Sequence, residues 1–210
     1  LTPHKNVAGV MAEKEERIGT VPYDSRIPVD TWWDLGIGDA MVIWFTQRVG
    51  QEIRFIDYFQ AQGEGFPFYA KILQDRGYFY GKHNAPHDIE VRELGSGMSR
   101  LETARKLGIN FQTVKNLAID EGIHAARIVF NRCWFDKVKC QQGLEALASY
   151  HKEWDDNRKE YKNAPYHDWS SHAADAFRYF AVGSGIVYRD KIDKPKPIIR
   201  TTSYNRVSGY

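Results

Sequence analysis

Cysteine is nearly absent from this chain: 210 residues hold only Cys133 and Cys140. Seven residues apart, they match no zinc-ligand spacing, and two thiols make no disulfide framework. Two free thiols in a reducing compartment are expected. Long apolar runs are missing as well. No stretch of about 18 apolar residues occurs, so no membrane-spanning helix is expected. The first 25 residues lack the apolar core of a signal peptide. Charge of one sign is not in excess: 29 Lys and Arg face 27 Asp and Glu, a net of +2. Affinity for a polyanion must therefore come from a local surface. The pattern G-x-x-x-x-G-K-[ST] is absent, which excludes a nucleotide motor of that type. The chain opens on Leu1 and not on Met, so a fragment or a processed chain is expected.

Aromatics are plentiful, with 6 Trp, 12 Tyr and 11 Phe. The length suits one large domain with tails, able to bury a core without covalent staples. Residues 1–29 are polar, with a charged run from Glu13 to Arg17, and read as a lead-in linker or weak helix. Strands are expected at Thr31–Gly36, Asp39–Val49 and Glu52–Gln60, joined by short turns as an antiparallel meander. From Phe68 to Arg76 the spacing of Phe68, Tyr69, Ile72 and Leu73 is helical, and Tyr78–Lys82 follows as a fourth strand. Asn84 to Gly97 reads as loop. Ser99–Leu107 predicts a short helix, with Ser99 and Glu102 in a capping-box pattern. A fifth strand is expected at Phe111–Asn116, and helices at Ile119–Asn131, Lys137–Tyr150 and Asp168–Val182. The charged stretch His151–Ala164 reads as an exposed hairpin or helix extension. Between Val187 and Tyr210, six Lys or Arg against two Asp predict a flexible basic tail. The expected layout is a lead-in over 1–29, one domain over 30–183 and a tail over 184–210.

Three aspartates stand in unusual company. Asp34 lies in Thr31-Trp32-Trp33-Asp34-Leu35-Gly36, a strand-like run ending in Gly36 and Gly38. Asp88 closes Ala85-Pro86-His87-Asp88 after the aromatic run Tyr78-Phe79-Tyr80. Asp175 lies in the helical Ser171-His172-Ala173-Ala174-Asp175-Ala176-Phe177-Arg178-Tyr179. Convergent carboxylates are how proteins hold hard divalent cations for phosphate chemistry.

The order β-β-β-α-β, followed by a further strand and helices, is that of the ribonuclease-H-like fold, an α/β mixed sheet with helices on both faces. There the first and fourth strands are neighbours, about 5 Å apart, so Asp34 and Asp88 would face one another. Close carboxylates repel and raise one pKa. Two divalent ions about 4 Å apart remove the conflict and serve phosphodiester hydrolysis, one activating water and the other stabilising the leaving 3′ oxygen. Gly36 and Gly38 either leave room for a phosphate backbone or make the turn. The plainer alternatives are a turn residue at Asp34 and a solvated carboxylate at Asp175. On a helical wheel Asp168, His172, Asp175 and Tyr179 share one face, opposite apolar Ala173, Ala176, Phe177 and Phe180. Asp175 then reaches the site only if the helix packs at an angle.

Trp33-Asp34-Leu35-Gly36 followed by Asp39, the lead-in Thr20-Val21-Pro22-Tyr23-Asp24 and the closing segment Ser171 to Tyr179 resemble the nuclease domain of large terminase subunits from tailed bacteriophages. The resemblance covers most of residues 20–183. It implies a ribonuclease-H-like endonuclease that holds two Mg²⁺ or Mn²⁺ ions and cuts concatemeric viral DNA at genome packaging with little sequence preference. Asp34, Asp88 and Asp175 would be the catalytic metal ligands, and Asp39 either a fourth ligand or a supporting group. It also implies double-stranded DNA, the portal protein, the small terminase subunit and the protein's own ATPase domain as partners, no membrane, and the host cell cytoplasm as location. The resemblance is to the nuclease half only.

Other residues carry weaker signals. Asp57 alternates out of phase with its strand and reads as a surface or rim group. Asp168 reads as a helix cap. His87 and His172 flank the acids and read as polar neighbours or as groups orienting water or phosphate. His83 and His167 show no zinc pattern. Candidate DNA contacts are Lys82, Arg92, Arg100, Lys106 and Arg178. The loop from Asn84 to Gly97 is placed to cover the site or bind DNA. The basic tail is either solvated or a contact for DNA or the portal. A reading of another class is a sequence-specific DNA-binding protein: Ala104, Gly108 and Ile109 fit a helix-turn-helix core within 99–116, with Gln112, Thr113, Lys115 and Asn116 as readers. A third is a structural or portal-docking module whose acids are surface groups.

Overall fold

The computed structural model describes residues 17–36, 39–92 and 97–186. The charged run that begins at Glu13, Gly38 and the basic tail from Val187 onward lie outside the described residues, apart from Arg17 at the end of that run. The expected meander is present as β2 (Val29–Leu35), β3 (Ala40–Val49) and β4 (Glu52–Gln62), antiparallel throughout. Helix α1 (Phe66–Arg76) follows, opened by a proline in its first turn, where a missing N–H costs nothing. Strand β5 (Tyr80–Ala85) then lies parallel to β2, and β6 (Phe111–Thr113) lies parallel to β5. Helix α2 (Arg100–Lys106) carries the predicted capping box, in which Ser99 and Glu102 each satisfy the other's backbone N–H.

Two strands were not legible in the sequence. Strand β7 (Cys133–Asp136) pairs parallel with β4, and the two-residue β1 (Ile18–Gly19) pairs parallel with β7. The sheet order is β1-β7-β4-β3-β2-β5-β6. The stretch 1–29 is therefore not all lead-in: β1 extends the sheet, Val21 is buried, and Val29 begins β2. The helix expected from Lys137 is shorter, because β7 and a turn come before it. Helix α3 (Ile119–Val129) runs into a 3₁₀ turn ahead of β7, and α4 (Gln141–Ser149) follows it. The charged stretch after α4 is the hairpin β8 (Lys152–Asp155) and β9 (Glu160–Pro165), separate from the main sheet. Helix α5 (Ser171–Gly183) closes the described fold.

Strand alternation divides the core. Along β3, Met41, Ile43 and Phe45 face one side with α1 and α2, while Val42 and Trp44 face the other with α3, α4 and α5. Helices on both faces cover the sheet, as a mixed sheet with two apolar faces requires. Trp44 is fully buried on the α5 side and donates its indole N–H to the Ala173 carbonyl at 3.0 Å. Phe177 and Phe180 of α5 pack on Phe55 and Trp32. Each buried ring contributes about 1.5–3 kcal/mol, enough to fix α5 across β2 and β3.

Candidate metal centre

Period-two alternation in β2 sends Trp33 into the α1 face, and Trp32 and Asp34 toward α5. Asp34 sits at the end of the strand, opposite Val42, with its side chain 15% exposed. Gly36 has no room for a side chain, since a Cβ there would run into the Ala40 carbonyl. The carboxylate of Asp34 accepts a hydrogen bond from His172 Nδ1 at 3.0 Å.

Burial, first of all, pushes the Asp34 carboxyl above its ordinary range; the nearby charges of Asp175 and Asp88 push the same way, against the His172 bond. The His172 imidazole is also pushed up, chiefly by its bond to Asp34, with Asp39 and Asp175 adding to it and burial opposing. Both groups shift toward holding a proton. The cluster carries surplus negative charge, which a cation relieves.

Asp88 follows β5, the parallel neighbour of β2, in the 3₁₀ turn His87–Glu90. Its Oδ1 is buried and has no hydrogen-bond partner, alone among the side-chain polar atoms of the described residues. Buried polar atoms are almost always paired, and the charge of Asp88 acts on Asp34. Asp175 is half-buried on α5, held by Arg178 through Nε at 3.2 Å and Nη2 at 3.0 Å. Tyr179 lies one turn further on. Burial raises its hydroxyl to about 12, with Asp34, Asp175 and Asp88 all contributing against Arg178.

The awkward helical wheel is thereby explained. The apolar face of α5 packs on the sheet, while its His172–Asp175–Tyr179 face looks along the sheet to the ends of β2 and β5. The structure brings Asp88 and Asp175 each within electrostatic reach of Asp34; among the described residues, their carboxylates are not a set with ligand atoms all within 4.8 Å of one another. Asp39 is 51% exposed at its side chain and faces His172 and His167.

Other expectations fare differently. Asp57 is buried, not a surface group: its carboxylate accepts from Arg76 at 2.6 Å and from the Tyr78 hydroxyl at 3.1 Å. The cause is a β-bulge in β4, where Phe45 pairs with Asp57 and Thr46 with Phe55, and a bulge breaks the alternation on which the sequence reading relied. Arg178 is no free contact for DNA. Its side chain is 11% exposed, tied to Asp175 and laid over the Tyr179 ring at 4.8 Å. Asp168 organises the turn before α5, accepting from the Ser170 N–H and hydroxyl.

The helix-turn-helix reading fails because Phe111–Thr113, its recognition helix, is strand β6 in the main sheet. His87 is exposed, with its Nε2 at 3.5 Å from the Asn116 amide. His83 is bound to Thr31. Arg100 donates to the Leu35 carbonyl at 3.4 Å, beside Asp34. Arg92 donates to the Gly97 carbonyl, and Lys106 reaches Met98. Lys82 is exposed near Asp30, at the other end of β2 from Asp34. Cys133 and Cys140 are free and buried. No helix among the described residues is long and apolar enough to cross a membrane.

A mixed sheet in this order, covered on both faces and with carboxylates gathered at the ends of adjacent central strands, defines a ribonuclease-H-like α/β domain. Within that class the chain has the fold of large terminase nuclease domains. It is similar to the nuclease domain of the phage P22 large terminase, with TM-score 0.61 and 16% identity over 86% of this chain and 94% of that one. It is similar to the SPP1 counterpart solved with bound Mn, with TM-score 0.54 and 15% identity over 72% and 84%. The phage G20c nuclease, solved with bound magnesium, gives TM-score 0.55 and 12% identity over 85% and 98%. Against a thermophilic bacteriophage large terminase in complex with ADP, TM-score is 0.64 and identity 18% over 87% of this chain. The chain spans 45% of the length of that protein. No family model matches the chain, and no curated protein matches it in sequence.

Proposed function

We propose that this chain is a metal-dependent endonuclease domain that cuts double-stranded DNA during viral genome packaging, with Asp34, Asp88 and Asp175 holding two Mg²⁺ or Mn²⁺ ions. One observation carries the reading: the buried, unpartnered Oδ1 of Asp88, whose charge acts on the Asp34 carboxylate. An all-oxygen donor set fits hard divalent cations. Mn and Mg in the SPP1 and G20c relatives support the choice of metal. When bound, such ions supply Lewis acidity and a water deprotonated near neutral pH.

The chain's own residues set the geometry for that chemistry. His172 fixes the orientation of Asp34 by donating Nδ1–H to it. Arg178 holds Asp175 on α5 from two nitrogens. Tyr179 keeps its proton near neutral pH and so remains a donor beside the acids. Arg100, next to the end of β2, and Arg92, in the segment after Asp88, are the basic groups best placed for the DNA backbone, which is read by charge and not by sequence. The ATPase half of the same polypeptide, the portal and the small subunit are further partners under this reading.

The test is conversion of supercoiled plasmid to open and linear forms in Mn²⁺ or Mg²⁺. Asp34→Asn, Asp88→Asn and Asp175→Asn should each lose more activity than the roughly 10–100-fold typical of removing an outer partner of a metal ligand. Wild-type cleavage by any one of the three would remove that residue from the site, and cleavage by all three would end the proposal.

A further inference from the structure

We propose that Gln60 is a DNA contact, its side-chain amide donating to a phosphate that neighbours the one to be cut. This contact rests on the nuclease reading and shares no residue with the metal centre. Strand pairing places Gln60 on the same face and at the same end of the sheet as Asp34. Asp34 lies opposite Val42, and Val42 lies opposite Gln60. Residues directly opposite in paired strands point to one face. Two strand spacings put the backbones of Asp34 and Gln60 about 10 Å apart. A row therefore runs from the acid across β3 to the amide, with apolar Val42 between them. Gln60 itself is half-buried near the end of β4.

Tyr58, two residues back on the same face, fixes the amide. Its ring is buried, 4.5 Å from the Trp44 ring and closed over by α4, where a Cβ on Gly143 would strike it. Its hydroxyl donates to Gln60 Oε1 at 2.6 Å. Burial pushes this hydroxyl far above its ordinary value, and the charge of Asp34 adds to the push, so the proton stays in place. Among the described residues it has no other acceptor, and buried polar groups are almost always paired. The carbonyl side of the amide is thereby turned inward. Nε2 is left with two N–H donors.

Neutral amides are ordinary partners of DNA phosphates, where contacts fix the position of the duplex and carry no sequence information. Carboxylates at this end of the sheet repel a phosphate strand until cations neutralise them. A fixed donor about 10 Å away holds the strand without adding charge of either sign. Being neutral, Gln60 is invisible to a reading of DNA contacts from Lys and Arg alone.

The test is fluorescence anisotropy of a short labelled DNA duplex in Ca²⁺ over a range of salt, with urea unfolding and Mn²⁺ titration alongside. Gln60→Glu keeps an acceptor for Tyr58 and turns the donor into an anion. The double variant Tyr58→Phe with Gln60→Met removes donor and acceptor together, so no buried hydroxyl is left unpaired. It should weaken duplex binding by about tenfold, as for a hydrogen bond to a charged group. The slope of log affinity against log salt should not change, because a neutral donor releases no counterion. Gln60→Glu should weaken binding further. Unfolding midpoints and Mn²⁺ affinity should stay close to wild type. Wild-type DNA affinity in the double variant would overturn the contact, even if Gln60→Glu binds weakly, since any added anion repels DNA. So would weaker binding that comes with a lowered unfolding midpoint or altered Mn²⁺ affinity, which marks damage to the fold. A wild type that binds no DNA would overturn the nuclease reading and this contact with it.

Discussion

Acid should destabilise this domain through His83 in a calculable way. His83 is largely buried on β5, with Nδ1 at 2.7 Å from Thr31 Oγ1. The same hydroxyl accepts the Trp33 indole N–H at 2.7 Å. Burial pushes the imidazole down from its ordinary 6.5 to about 4. The folded pKa lies below the unfolded one. The contribution is therefore fully present above the unfolded pKa and is lost as pH falls through the folded value. A shift of about 2.5 units gives a ceiling of about 3 kcal/mol, of which about 2 kcal/mol is lost between about pH 7.5 and about pH 5. Urea unfolding of wild type and His83→Gln across that range isolates the term, because Gln can accept from Thr31 but does not titrate. The stability difference between the two proteins should change by about 2 kcal/mol over the range. A difference independent of pH would refute the reasoning.

Three further predictions concern the scaffold. Gly143 in α4 lies against the Trp44 and Tyr58 rings, where an added Cβ has no space; Gly143→Ala should cost about 1–3 kcal/mol in urea unfolding, and an unchanged midpoint would contradict this packing. Arg76→Ala leaves the Asp57 carboxylate buried without its cation and should cost about 3–5 kcal/mol, while the joint change to Arg76→Met and Asp57→Leu should cost less than the single one. Ser99→Ala should lower stability by about 1 kcal/mol through loss of the capping box on α2, read from the same unfolding curves.

Much of this architecture is legible along the chain because alternation is strong where strands are buried on both sides. The paired tryptophans of β2 face opposite cores, and the Ser99–Glu102 box marks α2 locally. Strand β1 was not legible: two residues have no period, and only pairing with β7 makes them a strand. Asp57 was misread because a bulge changes which side a residue faces without leaving a mark in composition. Asp34 is legible as an acid at a strand end. Asp88 depends on counting strands, since nothing local distinguishes it from a turn residue. Asp175 depends on how α5 crosses the sheet, which is decided by Trp44, Phe55 and the small residues Ala173 and Ala176 and not by the helix alone. The partnership of His172 with Asp34 spans 138 positions, and His167 joins it only through the turn before α5.

The central claim is that three carboxylates from β2, the turn after β5 and α5 hold divalent ions. Crystals of the chain soaked in Mn²⁺ and measured at the manganese absorption edge test it most directly. The account predicts two anomalous peaks bounded by Asp34, Asp88 and Asp175, one of them contacted by Asp88 Oδ1. Mn²⁺-soaked crystals with no peak at these carboxylates would contradict it.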